Sequence, residues 1–286
     1  MHAGPVHEFE ARFTLKSRPD VGFSFDRAIQ LGVTTLETRE GKVHGTMTLR
    51  LESGDPNAAR EKALEEAEKI ASLLSLALNA GFAVEEVHVV CKPVIEVMER
   101  DGVKKITVSI YEILTVKELV SKIYSVKKTE ELEIELQNLA NRIEKGAHGR
   151  DLLRAIKWWR KGYLEEDKVD AFLHYYIALE VLASVKGYKD KHERNRIKRF
   201  INWLKKSAYK YEEGWVKRFT KDYSITYKPD GRTSINKIRG RILHAPGPEK
   251  DAAEKLAAQC ADKLGQELLN AIKRVLEELP EPVRTA

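Results

Sequence analysis

Arg239-Gly-Arg-Ile-Leu-His244, followed directly by Ala-Pro-Gly-Pro, joins an imidazole to two guanidinium groups at the end of a segment with helical character. Phosphodiester chemistry calls for such groups: a side chain that exchanges a proton near neutral pH, and a fixed cationic fork for a crowded phosphate. The spacing alone is a weak signal. With 8 His and 20 Arg in 286 residues, chance supplies about two cases of Arg followed by four to six residues and then His. The chain has three. Arg39/His44 spans Arg-Glu-Gly-Lys-Val-His, a turn between strand-like runs in which both side chains are expected in solvent. Arg142/His148 ends in Gly-Ala-His-Gly, which reads as a helix C-terminus and linker. Only the third lies among many cations and aromatics.

Helical geometry complicates that third pair. Residues five apart on an ideal helix are offset by about 140°, so Arg239 and His244 do not share a stripe. Arg241, three residues before His244, sits on nearly the same face and is a phosphate-contacting candidate on spacing alone. Either the helix frays before Pro246 and His244 swings round, or the site collects groups from two subunits. The simplest reading of His244 by itself is a cation settled at a helix C-terminus.

Other residues invite the same weighing. Glu180, an acid inside the apolar run Ile-Ala-Leu-Glu-Val-Leu, either orients Arg239 or a neighbouring cation, or reaches the bundle surface. His174 on the same segment reads as structural. Trp158 and Trp159 are able to stack on bases, although adjacent Trp residues in an amphipathic helix more often fill a core or a dimer interface. Lys191, Arg194, Arg196, Lys198, Arg199, Lys205 and Lys206 are the candidates for tracking RNA phosphates, against the alternative of an ordinary solvated face.

The charge distribution supports a polyanionic partner. The net charge of +6 is unevenly spread. Residues 1–144 carry 19 Lys+Arg and 24 Asp+Glu, whereas residues 145–286 carry 31 and 20. Between Lys186 and Arg241 the count is 18 against 6. Such a field draws polyanions and weakens with salt.

Size and composition set the frame. A chain of this length accommodates two domains with separate cores. An apolar fraction of 42% with 33% charged residues indicates a globular protein rather than a disordered one. Cys91 and Cys260 lie far apart, which suits reduced thiols and a cytoplasmic location. The longest apolar stretch, Ile70 to Val84, is interrupted and too short to span a bilayer, and the N-terminus lacks signal-peptide layout. No cofactor and no metal are expected.

Those groups need a scaffold, and the hydrophobic period supplies one. His7–Leu15 and Lys42–Leu51 alternate as half-buried strands, Ala28–Thr38 is strand-like, and Glu40-Gly41 marks a turn. Asp55-Pro56 opens a helix whose stripe runs through Ala63, Ala67, Ile70, Leu73, Leu74 and Ala77 until Gly81 stops it. Val87–Val97 and Val103–Val116 read as strands about an Asp101-Gly102 turn. From about Leu119 the period becomes helical: Glu130–Lys145, Asp151–Lys161, Lys168–Lys186, the basic His192–Tyr209, a short Glu212–Asp222, a helix capped by Ser234 and broken at Pro246 and Pro248, and Asp251–Leu279. The fold class expected is α+β: a small α+β domain over 1–118, then an all-helical bundle over 119–286.

Four blocks in that second half carry a resemblance. Ala155-Ile-Lys-Trp-Trp-Arg-Lys-Gly162, Asp170-Ala-Phe-Leu-His-Tyr-Tyr-Ile-Ala-Leu-Glu-Val-Leu182, Arg196-Ile-Lys-Arg-Phe and Arg239-Gly-Arg-Ile-Leu-His244 together resemble the Apea-like branch of the HEPN superfamily in order and spacing, over roughly residues 150–280. The resemblance implies a bundle of four to five helices that usually dimerises. It also implies, in many members, a metal-independent endoribonuclease within toxin or antiviral systems, with an antitoxin or defence partner possible. The Arg and His of each subunit meet across the two-fold axis in active relatives, and here they correspond to Arg239 and His244. Active members often place a polar residue, commonly Asn, after the motif Arg, and this chain has Gly240.

The reaction so implied is attack of an RNA 2′-hydroxyl on the adjacent phosphate, leaving a 2′,3′-cyclic phosphate and a 5′-hydroxyl. His244 would move the proton and Arg239 would stabilise the transition-state charge. The alternative, motivated by Gly240, is a non-catalytic RNA- or nucleotide-binding sensor module.

Overall fold

The computed structural model describes residues 6–18, 20–91, 98–100, 103–105, 123–126, 128–146, 148–187, 193–208 and 233–278, with backbone alone at 91, 98–100, 103–105, 123–126, 193–195 and 204–208. The protein is mixed α+β: an antiparallel five-stranded sheet followed by helices. It divides into two compact units, Met1–Ala71 with Phe82–Gln137, and Ser72–Gly81 with Asn138–Ala286.

Strict alternation builds the sheet. In β1 (His7–Lys16), Phe9, Ala11, Phe13 and Leu15 are buried while Glu10, Arg12 and Thr14 face outward. In β5 (Lys42–Leu51) the buried set includes Val43, Met47 and Leu49. A one-residue slip would turn each buried face out to water, so the pattern fixes the register. His7 lies opposite Leu51 and Leu15 opposite Val43. β3 (Ile29–Leu31), β4 (Thr34–Arg39) and β6 (Ala83–Cys91) complete the order β3-β4-β5-β1-β6. The Glu40-Gly41 turn has positive φ at both residues, 52° and 79°, the conformation a two-residue hairpin demands. The remaining buried side chains of this unit include Ala59, Ala63, Ala67 and Ile70 of α1 (Pro56–Ala77), and Asp55 opens that helix by accepting from the Asn57 N–H at 2.9 Å.

Several expectations are corrected here. The run Ala28–Thr38 is two strands, because Gly32 adopts a φ of 59° and folds the chain back at Gly32-Val33. β2 (Gly22–Phe25) is a further strand, parallel to β9 (Ile123–Val126). The strand β9 therefore falls inside the stretch read as helical from Leu119. Four residues are too few to display a period, and pairing with β2 decides their conformation. The expected strand Val87–Val97 begins earlier, and only its part up to Cys91 lies within the described residues. Of Val103–Val116, residues Val103–Lys105 form β8, paired with β7 (Met98–Arg100). The Asp101-Gly102 turn and the proposed helix Glu212–Asp222 lie outside the described residues. Helix α1 is ended by Asn79 rather than Gly81. Asn79 takes a φ of 53°, and the Ala80 N–H reaches back to the Ser75 carbonyl at 3.2 Å, a Schellman closure.

The helical unit is arranged around α4 (Lys168–Val185), which packs against α3 (Gly149–Leu164), α5 (Glu193–Ala208), α6 (Ile235–His244) and α7 (Pro248–Glu277). Its sequence explains the central place: buried residues occur around much of its circumference, among them Phe172, Tyr175, Tyr176, Leu179 and Leu182. Asp167 caps it by accepting from the N–H groups of Val169 and Asp170. The helix α2 (Thr129–Lys145) precedes α3. The end of α1 belongs to this unit as well. Arg160, 4% exposed, donates through Nη1 to Ser72 Oγ at 2.9 Å. Pro248 starts α7 instead of ending α6, since a proline at the first helical position forfeits no needed hydrogen bond. Among the described residues no helix is long and apolar enough to cross a membrane.

Candidate functional site

Helix α6 is built from short-range signals. Ser234 Oγ accepts from the Lys237 N–H at 3.4 Å, a cap worth about 1 kcal/mol. Ile235, Ile238 and Ile242 are buried and form the stripe that seats α6 among its neighbours. That seating leaves Asn236, Arg239, Gly240 and Arg241 half-buried and Lys237, Leu243 and His244 exposed. The helix does not fray. Ala245 still donates to the Arg241 carbonyl at 2.9 Å, and only then does the chain turn extended ahead of Pro246. Arg239 and His244 therefore leave α6 in different directions, about 7.5 Å apart along the axis.

Each cation has its own surroundings. The Arg239 guanidinium lies over the Tyr176 ring, Cζ 5.0 Å from the centroid. Tyr176 is 1% exposed, and its hydroxyl donates to Asn236 Oδ1 at 2.7 Å. Arg241 shares a face with His244, and its Nε is 3.5 Å from the exposed carboxylate of Glu249 in the first turn of α7. A surface pair of that length holds Arg241 weakly. Gly240 has open space: a Cβ there would meet nothing within 4 Å among the described residues. Glu180 is half-buried one turn after Tyr176 on α4.

The basic helix α5 is amphipathic as its sequence implies. Ile197, Phe200 and Ile201 are buried, Lys198 and Arg199 are exposed, and Arg196 is half-buried with its Nε sealed from solvent and without a hydrogen-bond partner among the described residues. Arg194, Lys205 and Lys206 lie on the same helix, with only their backbone described, and Lys191 lies outside the described residues.

The tryptophans and His174 are packing groups. Trp159 is buried and donates from Nε1 to the Gly265 carbonyl at 2.8 Å. Trp158 carries the Lys161 ammonium 4.6 Å from its centroid and the His174 ring at 5.6 Å. Burial pushes His174 below the ordinary histidine value, with Lys161 acting in the same sense and Glu165 and Asp170 opposing.

Two features escaped sequence reasoning. Tyr176 and Asn236 meet across 60 positions of chain, and Tyr176 reads simply as core. His44 is not solvated in a turn. It lies in β5, half-buried, with Nδ1 3.2 Å from Thr14 Oγ1, and burial lowers its pKa. It lines a depression of about 710 Å³ on the outer face of the sheet. The cations there face carboxylates: Arg12 meets Glu10 at 2.6 Å and Lys42 meets Glu85 at 2.8 Å. Such a surface has little net field to attract an anion, unlike the cation-rich stretch of sequence that contains α6. No group of three or more His, Cys, Asp or Glu among the described residues is placed to hold a metal ion.

No family model matches the chain, and neither does a curated protein or a solved structure.

Proposed function

We propose that this chain is a HEPN-type endoribonuclease that works without a metal ion, acts as a homodimer through its helical unit and serves in a toxin or antiviral setting. One observation carries the reading. An intact α6 sends Arg239 to one side and Arg241 with His244 to the other, beside the most basic part of the sequence. A single copy does not bring Arg239 and His244 together on this helix, and a second copy related by a two-fold axis offers the complementary set.

In this reaction the RNA 2′-oxygen forms a bond to phosphorus as its proton passes to an imidazole. The bond from phosphorus to the 5′-oxygen breaks, and that oxygen takes a proton as it leaves. With two copies, one His244 serves as base and the other as acid. Arg239, with Arg241 as a second contact, holds the phosphate oxygens as charge builds.

The test is incubation of wild-type protein, His244→Ala and Arg239→Ala with labelled tRNA and total RNA in EDTA, followed by end-group analysis. Wild type is expected to give cyclic-phosphate ends, and each variant to lose at least about 100-fold in rate. Retained cleavage in both variants would overturn the site. A second reading, favoured by the absence of a side chain at Gly240, is a binding module without turnover. It is distinguished by a salt-sensitive gel shift with no product.

A further inference from the structure

Asn236 and Arg239 stand three residues apart on α6 and so project toward the same side. Tyr176 meets both of them. Its ring underlies the guanidinium of Arg239, and its hydroxyl donates to Asn236 Oδ1 at 2.7 Å. The carboxamide of Asn236 gains little stability from this arrangement, because its Nδ2 is buried without a hydrogen-bond partner among the described residues. Leaving a buried donor unpaired is costly, whereas replacing both members of such a pair by apolar groups of similar shape is close to neutral. Stability alone therefore gives no reason to place this amide against this hydroxyl. Function supplies one, since the bond fixes the ring on which an essential cation rests.

We propose that Tyr176 and Asn236 are a positioning pair for Arg239: the amide locks the phenol, and the phenol ring holds the guanidinium in the direction from which it meets a phosphate. Neither residue touches the reacting atoms. The ring face attracts the cation, and the hydroxyl, tied to Asn236, keeps that face from rotating away. This inference rests on the ribonuclease reading of the Arg239 site.

The experiment uses the double variant Tyr176→Phe/Asn236→Leu in the full chain, which keeps a ring and removes both polar groups together. Three readouts are taken: the melting temperature, the order parameter of the Arg239 Nε–Hε bond by NMR, and the single-turnover cleavage of labelled RNA beside binding of its 2′-O-methyl counterpart. The expected result is a melting temperature equal to or above that of wild type, with Arg239 falling from an ordered value to below about 0.6. Cleavage is expected to fall about tenfold with binding within about threefold, because the charge stays and only its aim is lost. In an Arg239→Ala background the two changes should have no further effect on rate.

An unchanged Arg239 order parameter overturns the inference. So does loss of activity accompanied by a matching loss of melting temperature, or a further loss in the Arg239→Ala background. If wild type cuts no RNA while Arg239 still loses order in the double variant, the ribonuclease reading fails and the positioning pair stands. Should Tyr176→Phe/Asn236→Leu fail to fold, Tyr176→Phe alone is read by the Arg239 order parameter, and an unchanged value overturns the inference.

Discussion

Tyr175 and Gly265 fit against each other with no room for a methyl group: a Cβ on Gly265 would fall 2.5 Å from Tyr175 Cζ. The same ring closes on Gly162, where a Cβ would come within 2.7 Å of it. Glycine thus admits one buried tyrosine between α3 and α7, and the Gly265 carbonyl receives the Trp159 indole N–H. Gly265→Ala is expected to cost about 1–3 kcal/mol by overpacking, seen as a melting temperature several degrees lower. Gly265→Ala combined with Tyr175→Phe should remain destabilised, because the ring carbons alone approach within 2.7 Å.

Gly240 sets the opposite case. It lies inside a helix with open space above it among the described residues, so Gly240→Ala should raise stability by about 0.5–1 kcal/mol. Gly240→Asn should fold equally well. In the ribonuclease reading it should also quicken single-turnover cleavage severalfold where Gly240→Ala does not, which a time course on labelled RNA checks.

Burial gives the protein an acid-sensitive component. The pKa of His174 and of His44 is lowered on folding, chiefly by desolvation. The unfolded chain therefore takes up these protons first as pH falls. The stability involved is complete above the ordinary value of 6.5 and is lost as pH drops below it toward the folded values. Melting temperatures measured from pH 7.5 to 5 should decline, and the decline should be shallower in His174→Gln/His44→Gln. An equal slope in wild type and variant would count against it.

Cys260 should be chemically silent. It is buried, and desolvation pushes its thiol up to about 12, so almost no thiolate exists near neutrality. Mass spectrometry after iodoacetamide treatment at pH 8 is expected to find Cys260 unmodified in the native protein and modified after unfolding in guanidinium.

Features that rest on one stretch of sequence could be read from it. The alternation in β1 and β5, the Ser234 cap and the apolar face of α5 each depend on neighbours in the chain, and residue types announce them. Features set by distant partners could not. Ile123–Val126 becomes a strand through pairing with β2, about 100 residues away. His44 is half-buried because Thr14 stands opposite it in the register of β1 and β5. Tyr176 matters to Arg239 because α4 and α6 pack side by side, which no spacing rule for either helix discloses. The candidate residues Arg239, Arg241 and His244 were legible as a motif. That α6 holds its helical form to the last of them follows only from the Arg241–Ala245 hydrogen bond.

The passage of α1 from one compact unit into the other has a practical meaning for anyone who would cut this chain. Strand β9 ends at Val126 and α2 begins at Thr129, and this change from strand to helix suggests an obvious cleavage point. A fragment beginning there would lack residues 72–81, and with them the hydroxyl that Arg160 binds inside the helical unit. Its guanidinium, 4% exposed, would lose the Ser72 hydroxyl as a hydrogen-bond partner. The helical half is thus assembled from two separated pieces of sequence, and a proteolytic fragment that keeps its fold should retain the end of α1, either still joined or as a bound peptide.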